Sequence, residues 1–565
     1  SRKALGYITS RCNYKERRNN GKCEKSGKRY SSLTASVACK RNKMNVLILL
    51  SLVCVSGYVH SANVRVDPLV LIDQGLVRGF KASGGDYSTF LGIPYAKVDL
   101  ANPFGPTLPA SHFQEPIFEA NNGEIMCPQV TVSKSSAETL DCLRLNVYVP
   151  SAASTTNPLP VMVWIHGGAF ETGYGANQNP KDLVKKGIVV VTINYRLGPY
   201  GFMCLHDPKV PGNQGLKDQY QALRWVRDNI AAFGGNPYQV TIAGQSAGSA
   251  SVLLHLYSSK EKLYKQVIAQ SGSPKKDGSF NQGDVAAAKK LASHLGFNTN
   301  DTASALQFLT TTSPDLVTAA TVELGLNFRP CLEKSFSGVD NFVEADPYSL
   351  SNPKKVKNTA VMIGHTSVEY AMDSDPFIRR IQNNFALDDD KLQEAANLVR
   401  HFYIGDDTAS ENNKNSLANF ESDFLLNHPI QDDITNLVKE NAGPVYEYMF
   451  SFTDTDNIGA SHVEDVTYLL HIFEQFKTGK CNEALITEIM TTLWTNFVKY
   501  GNPTPEASEL LPVKWEPVTS LTRPYLNIDT TLELGHRVFQ ERMAFWNLFT
   551  NLYGKHNKLA QKCTH

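Results

Sequence analysis

At 565 residues, with 42% hydrophobic and 10% aromatic side chains, the chain has the apolar material for a large packed core, in one α/β domain or a few smaller ones. That composition excludes a disordered or low-complexity protein. Net charge is zero, yet residues 1–43 hold 13 Lys/Arg against 2 Glu, leaving 42 basic against 53 acidic side chains in the rest. The basic balance belongs to the leading segment alone, so the remainder offers no electrostatic case for a nucleic-acid partner.

Residues 1–43 contain no methionine and stop at Met44. They read as untranslated leader sequence without folded structure. Met44 opens MNVLILLSLVCV, an apolar run followed by the small residues Ser56, Gly57, Ser61 and Ala62. Its length suits a signal-peptide core and falls short of the roughly 20 apolar residues of a membrane span. The expectation is a signal peptide over 44–62 and a secreted mature chain over 63–565, forming a single domain with no membrane span. Secretion permits disulfides. Cys127 and Cys142 bracket a polar loop whose closure contributes about 3 kcal/mol in the chain-entropy model. Cys204, Cys331, Cys481 and Cys563 have no assignable pairing. No CxxC or close Cys/His set occurs, so neither a metal site nor a cofactor is expected. Asn300-Asp301-Thr302 is a glycosylation sequon.

In chain order, short Val- and Ile-rich runs predict strands within 160–168, 187–198, 239–246, 265–273, 360–366 and 445–454. Such runs suit strands buried on both faces. Residues 218–237 read as a helix ending in a Gly-Gly stop and an Asn-Pro turn. Alternation of strands with helices implies a mostly parallel sheet flanked by helices, with its binding crevice beyond the carboxyl ends of the strands.

Gly244-Gln245-Ser246-Ala247-Gly248 lies there, between a strand and the apolar helix pattern SASVLLHLY. Glycine on both sides lets a serine occupy a cramped strand-to-helix turn, exposed at the helix N-terminus. An acyl-transfer oxyanion needs donors, and the N–H of Ala247 supplies one. HGGAF at 166–170, after another strand, supplies more: Gly167 and Gly168 lack the bulk that would stop the chain turning its N–H groups toward a ligand.

Further stretches are FLGIPYA at 90–96, DCLRLNVYVP at 141–150, NYRLG at 194–198, GNQGLKDQ at 212–219, NIAAFGGNP at 229–237, GASHVEDVTYL at 459–469, GNPTP at 501–505 and ERMAFW at 541–546. With HGGAF and GQSAG they resemble the type-B carboxylesterases of the cholinesterase-like family, insect secreted esterases in particular. The resemblance implies an α/β-hydrolase fold and a triad in the chain order Ser246, Glu369, His462. It implies oxyanion donors at Gly168, Ala169 and Ala247, with Gly167 shaping the turn and Gly244 and Gly248 supporting the elbow. His365, four residues before Glu369, is the competing histidine on the residues alone.

Three departures from that family pattern stand out. Tyr370 follows Glu369 where the family has Gly. Pro103 and Leu140 replace an Arg and a Glu that form an ion pair in relatives, and loss of both strands no charge. Between Cys127 and Cys142 there is no aromatic residue, whereas cholinesterases use a tryptophan there against a quaternary ammonium. Gln245 stands where most members have Glu, removing a negative field beside the elbow, and is the specificity candidate. The expected activity is therefore hydrolysis of a small-molecule neutral or apolar ester, such as an odorant acetate, juvenile hormone or a xenobiotic. The competing reading is a non-catalytic binding or adhesion protein on the same fold. Nothing in the sequence sets the oligomeric state.

Overall fold

Val161, Val163 and Ile165 bury toward one apolar cluster, while Met162 and Trp164 between them bury toward a second. The same alternation recurs in the next strand, with Val189, Val191 and Ile193 on one face and Val190 on the other. This is why these segments read as unbroken hydrophobic runs: each strand is sandwiched between helical layers. The computed structural model describes residues 68–560 apart from 132–134, 136, 372–375, 455–457, 475–476, 478 and 480–481. The expected leader and signal segment, Cys481 and Cys563 lie outside the described residues.

Among the described residues eleven strands form the central sheet: β1 (Phe80–Lys81), β2 (Tyr87–Pro94), β3 (Arg144–Pro150), β4 (Leu159–Ile165), β5 (Val189–Ile193), β6 (Gly235–Gln245), β7 (Gln266–Gln270), β8 (Ala360–Thr366), β9 (Val445–Phe450), β10 (Pro524–Ile528) and β11 (Glu533–His536). Their spatial order is β11-β10-β9-β8-β7-β6-β4-β5-β3-β2-β1. From β5 through β10 every neighbouring pair is parallel, and antiparallel pairs close both margins. The alternation of elements predicted this mostly parallel sheet flanked by helices, and its order is the α/β-hydrolase architecture that the resemblance implied. The helices that matter to the site are α1 (Lys181–Lys185), α2 (Gln214–Asn229), α3 (Ala247–Tyr257), α4 (Glu464–Leu470) and α5 (Asn482–Tyr500). No helix among the described residues is long and apolar enough to cross a membrane.

One boundary differs from the sequence reading. The helix expected over 218–237 begins four residues earlier and stops at Asn229, followed by a single 3-10 turn over Ile230–Phe233. Gly234, at φ +77°, turns the chain, and Gly235 already pairs with Leu159. The Asn-Pro dipeptide is thus the irregular start of β6 rather than a turn, because pairing with β4 overrides its local preference.

Candidate active site

β6 ends at Gln245, and Ser246 takes φ 57°, ψ −121° before α3 begins. A left-handed serine costs on the order of 1–3 kcal/mol, and packing must hold it there. The grip is backbone on backbone. A Cβ added to Gly248 would stand 2.0 Å from the Ile165 carbonyl oxygen, so α3 approaches the end of β4 only because residue 248 has none. The Ser246 N–H donates to the Gln270 carbonyl at 2.9 Å, tying the elbow to β7.

The Ser246 hydroxyl donates to His462 Nε2 at 2.9 Å, and His462 Nδ1–H donates to Glu369 Oε2 at 2.5 Å. Glu369 sits in the loop after β8 with a fully buried side chain, and its Oε1 accepts from the Thr366 N–H at 2.8 Å. Burial pushes the Glu369 carboxyl up, but the charge and hydrogen bond of His462, aided by His365, outweigh it and hold it below the usual carboxylate range. It is therefore charged at neutral pH, as a partner for an imidazolium must be.

His462 precedes α4 in a loop without regular structure of its own, and side chains fix it. Gln245 Nε2 donates to the His462 carbonyl at 2.8 Å. The Ala460 N–H donates to Ser367 Oγ at 2.9 Å, and Val368 donates to the Ala460 carbonyl at 3.0 Å. Gln245, singled out for its missing charge, thus also holds the backbone of the histidine loop.

HGGAF follows β4 and folds back sharply. Gly168 takes φ +105°, where a Cβ would lie 2.2 Å from the Thr172 carbonyl oxygen. Ala169 and Phe170 are both left-handed, at φ 54° and 60°. The fold-back is held by Glu171 and Thr172 N–H groups donating to the Gly168 carbonyl, and by the buried Phe170 ring set edge-on to Phe202. The resulting wall, the elbow and His462 line one cavity of about 730 Å³. Met126, Trp164, Phe170, Tyr370, Ile472 and Phe473 give it an apolar surface. Tyr370, anomalous in sequence, stacks on the His462 ring with centroids 5.1 Å apart.

His365 is excluded from this chemistry by its surroundings. It is fully buried, its Nδ1 bonds the Thr366 carbonyl, and its ring packs on Phe539. The expected Cys127–Cys142 disulfide is present, and Cys204 pairs with Cys331. The second bridge, left open by sequence, pins the segment that brings Arg329 to the cavity wall, where Arg329 Nη1 meets Glu171 Oε1 at 2.7 Å. Asn300 is exposed, next to Asp301, whose side chain caps the following helix. Where relatives pair an Arg with a Glu, Pro103 instead offers its carbonyl to Arg196, whose buried guanidinium forms a two-pronged pair with Asp218. The NYRLG and GNQGLKDQ stretches therefore meet in a structural clamp. Among the described residues no group of His, Cys, Asp and Glu is arranged to hold a metal. Sequence reasoning missed Lys276, Trp164, Ile472 and Phe473 as cavity lining; only Lys276, just beyond a strand's carboxyl end, carried a positional signal.

The family model described as "Carboxylesterase family" matches residues 66–546. Human bile salt-activated lipase is 31% identical over 553 residues, covering 90% of this chain and 72% of the lipase. Juvenile hormone esterase of Heliothis virescens is 30% identical over 500 residues, covering 78% of this chain and 87% of that protein. The crystal structure of juvenile hormone esterase from Manduca sexta, with OTFP covalently attached, superposes with a TM-score of 0.74 at 27% identity, covering 86% of this chain and 100% of that one. With this match over most of its length, built on the elbow and sheet described above, the chain belongs to the carboxylesterase family and is an ester hydrolase.

Proposed function

We propose that Ser246 is the nucleophile of a secreted serine esterase that works through an acyl-enzyme. The observation that carries this reading is the unbroken relay from Ser246 Oγ through His462 to Glu369, opening on one cavity. His462 Nε2 takes the hydroxyl proton as Oγ attacks the ester carbonyl carbon. The N–H groups of Gly168, Ala169 and Ala247 receive the oxyanion, and the strained HGGAF turn serves to aim two of them. His462 then delivers its proton to the departing alkoxide, leaving the acyl group on Ser246. A water, deprotonated by the same nitrogen, attacks the acyl carbon and restores the free serine. Glu369 remains charged throughout, holding the ring orientation and compensating the imidazolium.

The substrate class follows from the wall. A mainly apolar cavity, with no aromatic residue between Cys127 and Cys142 and a neutral Gln245 beside the serine, suits an apolar ester and not a choline ester. Juvenile hormone, named for two of the similar proteins, falls within that class. Two disulfides suit an oxidising compartment, and residues 44–62 provide the route to it.

Ser246→Ala is expected to reduce hydrolysis of p-nitrophenyl butyrate by about 10⁴-fold or more, with an unchanged circular-dichroism spectrum. An organophosphate should label Ser246 and no other serine. Substantial turnover by the variant, or an adduct mapped elsewhere, would reject the nucleophile.

A further inference from the structure

The catalytic cavity contains a cation that the triad does not use. Lys276 follows β7 in the stretch SGSPKKD and lines the cavity together with Tyr370 and His462. Its Nζ donates to the Asp277 carbonyl at 3.0 Å and lies 5.7 Å from the centroid of the Tyr370 ring. That ring is the one stacked on His462, so the ammonium lies one aromatic ring away from the catalytic base.

The carboxylates around it are engaged elsewhere. Asp277 is held by Arg380 Nη1 at 3.2 Å, Glu171 by Arg329 and Glu369 by His462. Among the described residues none forms an ion pair with Lys276. Burial lowers the proton affinity of this ammonium below the usual lysine range; Asp277 and Glu369 oppose the effect, while Arg380 and Arg329 add to it. A lysine has three donors. One goes to a carbonyl, and the cavity that Lys276 lines is walled by Met126, Trp164, Phe170 and Ile472 as well as by polar groups such as Gln129 and Gln245.

We propose that Lys276 is a specificity-determining residue that receives an acceptor-bearing, preferentially anionic, end of the substrate, so that the enzyme favours apolar esters carrying a carboxylate. Desolvation sets this preference. A part-buried ammonium with no ion pair among the described residues is incompletely compensated, and a substrate carboxylate supplies that compensation while losing its own water to a matched partner. A quaternary ammonium in the same place meets like charge, which adds a second reason for the cavity to reject choline esters. The inference rests on the esterase reading for turnover, but binding tests it independently.

Two matched pairs locate the group: p-nitrophenyl hydrogen glutarate against p-nitrophenyl valerate for the acyl side, and 4-(butyryloxy)benzoate against phenyl butyrate for the alcohol side. In at least one pair, Lys276→Met should lower the anionic-to-neutral ratio of kcat/KM about tenfold, and Lys276→Arg should retain it. In parallel, Ser246→Ala with and without Lys276→Met is titrated calorimetrically with monobutyl glutarate for the acyl side and with 4-(butyryloxy)benzoate for the alcohol side. At least one of them should bind about tenfold more weakly when Met is present. Ratios that move less than twofold in both pairs, with unchanged affinity for both ligands, would overturn the proposal. So would Met and Arg variants that behave alike. If the wild-type enzyme does not hydrolyse p-nitrophenyl valerate or phenyl butyrate, the esterase reading fails, and the calorimetry still decides the role of Lys276.

Discussion

The elbow that carries Ser246 and the loop that carries His462 solve the same positioning problem by opposite means. The elbow is backbone against backbone: a left-handed serine between β6 and α3, with Gly248 pressed on the Ile165 carbonyl. The histidine loop has no regular structure and takes its place chiefly from side-chain bonds of Gln245 and Ser367, with one backbone bond from the Val368 N–H to the Ala460 carbonyl. Close-packed backbone has no room to yield, whereas a single hydrogen bond removed leaves others in place. Damage to the elbow should therefore be abrupt, and damage to the histidine loop graded.

The largest expected effect is on the elbow side. Gly248→Ala places a methyl 2.0 Å from one carbonyl oxygen and 3.0 Å from that of His166, neither of which is the end of a flexible chain. Either β4 and α3 separate or Ser246 leaves its conformation. We expect a destabilisation of a few kcal/mol and a loss of at least about 100-fold in kcat/KM. Thermal unfolding together with p-nitrophenyl butyrate hydrolysis checks this. A near-normal variant would show that the elbow has slack, and the contrast between the two regions would collapse.

The histidine loop should respond more mildly and in proportion. Gln245→Ala removes one donor from the His462 carbonyl, and about a threefold to tenfold fall in kcat is expected, with KM little changed. Gln245→Glu sets a carboxylate oxygen against that carbonyl and should be the worse of the two on neutral esters. It also restores a negative charge beside the cavity, so the cationic-to-neutral ratio of kcat/KM should rise. A Glu variant with unaltered rates and ratios would reduce Gln245 to filler.

The same contrast explains what could be read from the sequence. Strands buried on both faces announce themselves as Val/Ile runs, and the elbow and HGGAF turn do so through glycines whose absent side chains are locally necessary. The cavity wall left weaker traces. Lys276 and Phe473 line it because distant segments converge, and no periodicity encodes that. Cys204–Cys331 spans 127 residues, so its pairing depends on the sheet being assembled first. On the residues alone His462 and His365 compete, and the resemblance favours His462; packing gives the physical reason, separating a partly shielded ring facing serine from one enclosed against Phe539.

The smallest effect expected lies under the histidine loop, where Asp465 opens α4 three residues after His462. It is fully buried, and its Oδ2 accepts from Gln270 Nε2 at 2.8 Å and from the Tyr448 hydroxyl at 2.9 Å. Burial pushes its carboxyl up to about 6; the Glu369 charge adds to this, and the Gln270, Tyr448 and Val466 donors oppose it. A carboxyl raised on folding binds its proton more tightly in the folded chain than in the unfolded one. Stability from this group is therefore present at low pH and is lost as pH rises through about 6. The loss is at most about 3 kcal/mol. Asp465→Asn cannot ionise, and its amide meets the Val466 N–H that the carboxylate accepted, so it begins with a constant penalty. The sign of the pH dependence survives that penalty: the Tm deficit of the variant should shrink between pH 4.5 and 7.5. A deficit that stays constant across that range would show that Asp465 does not titrate there and that the floor of the histidine loop is charged throughout.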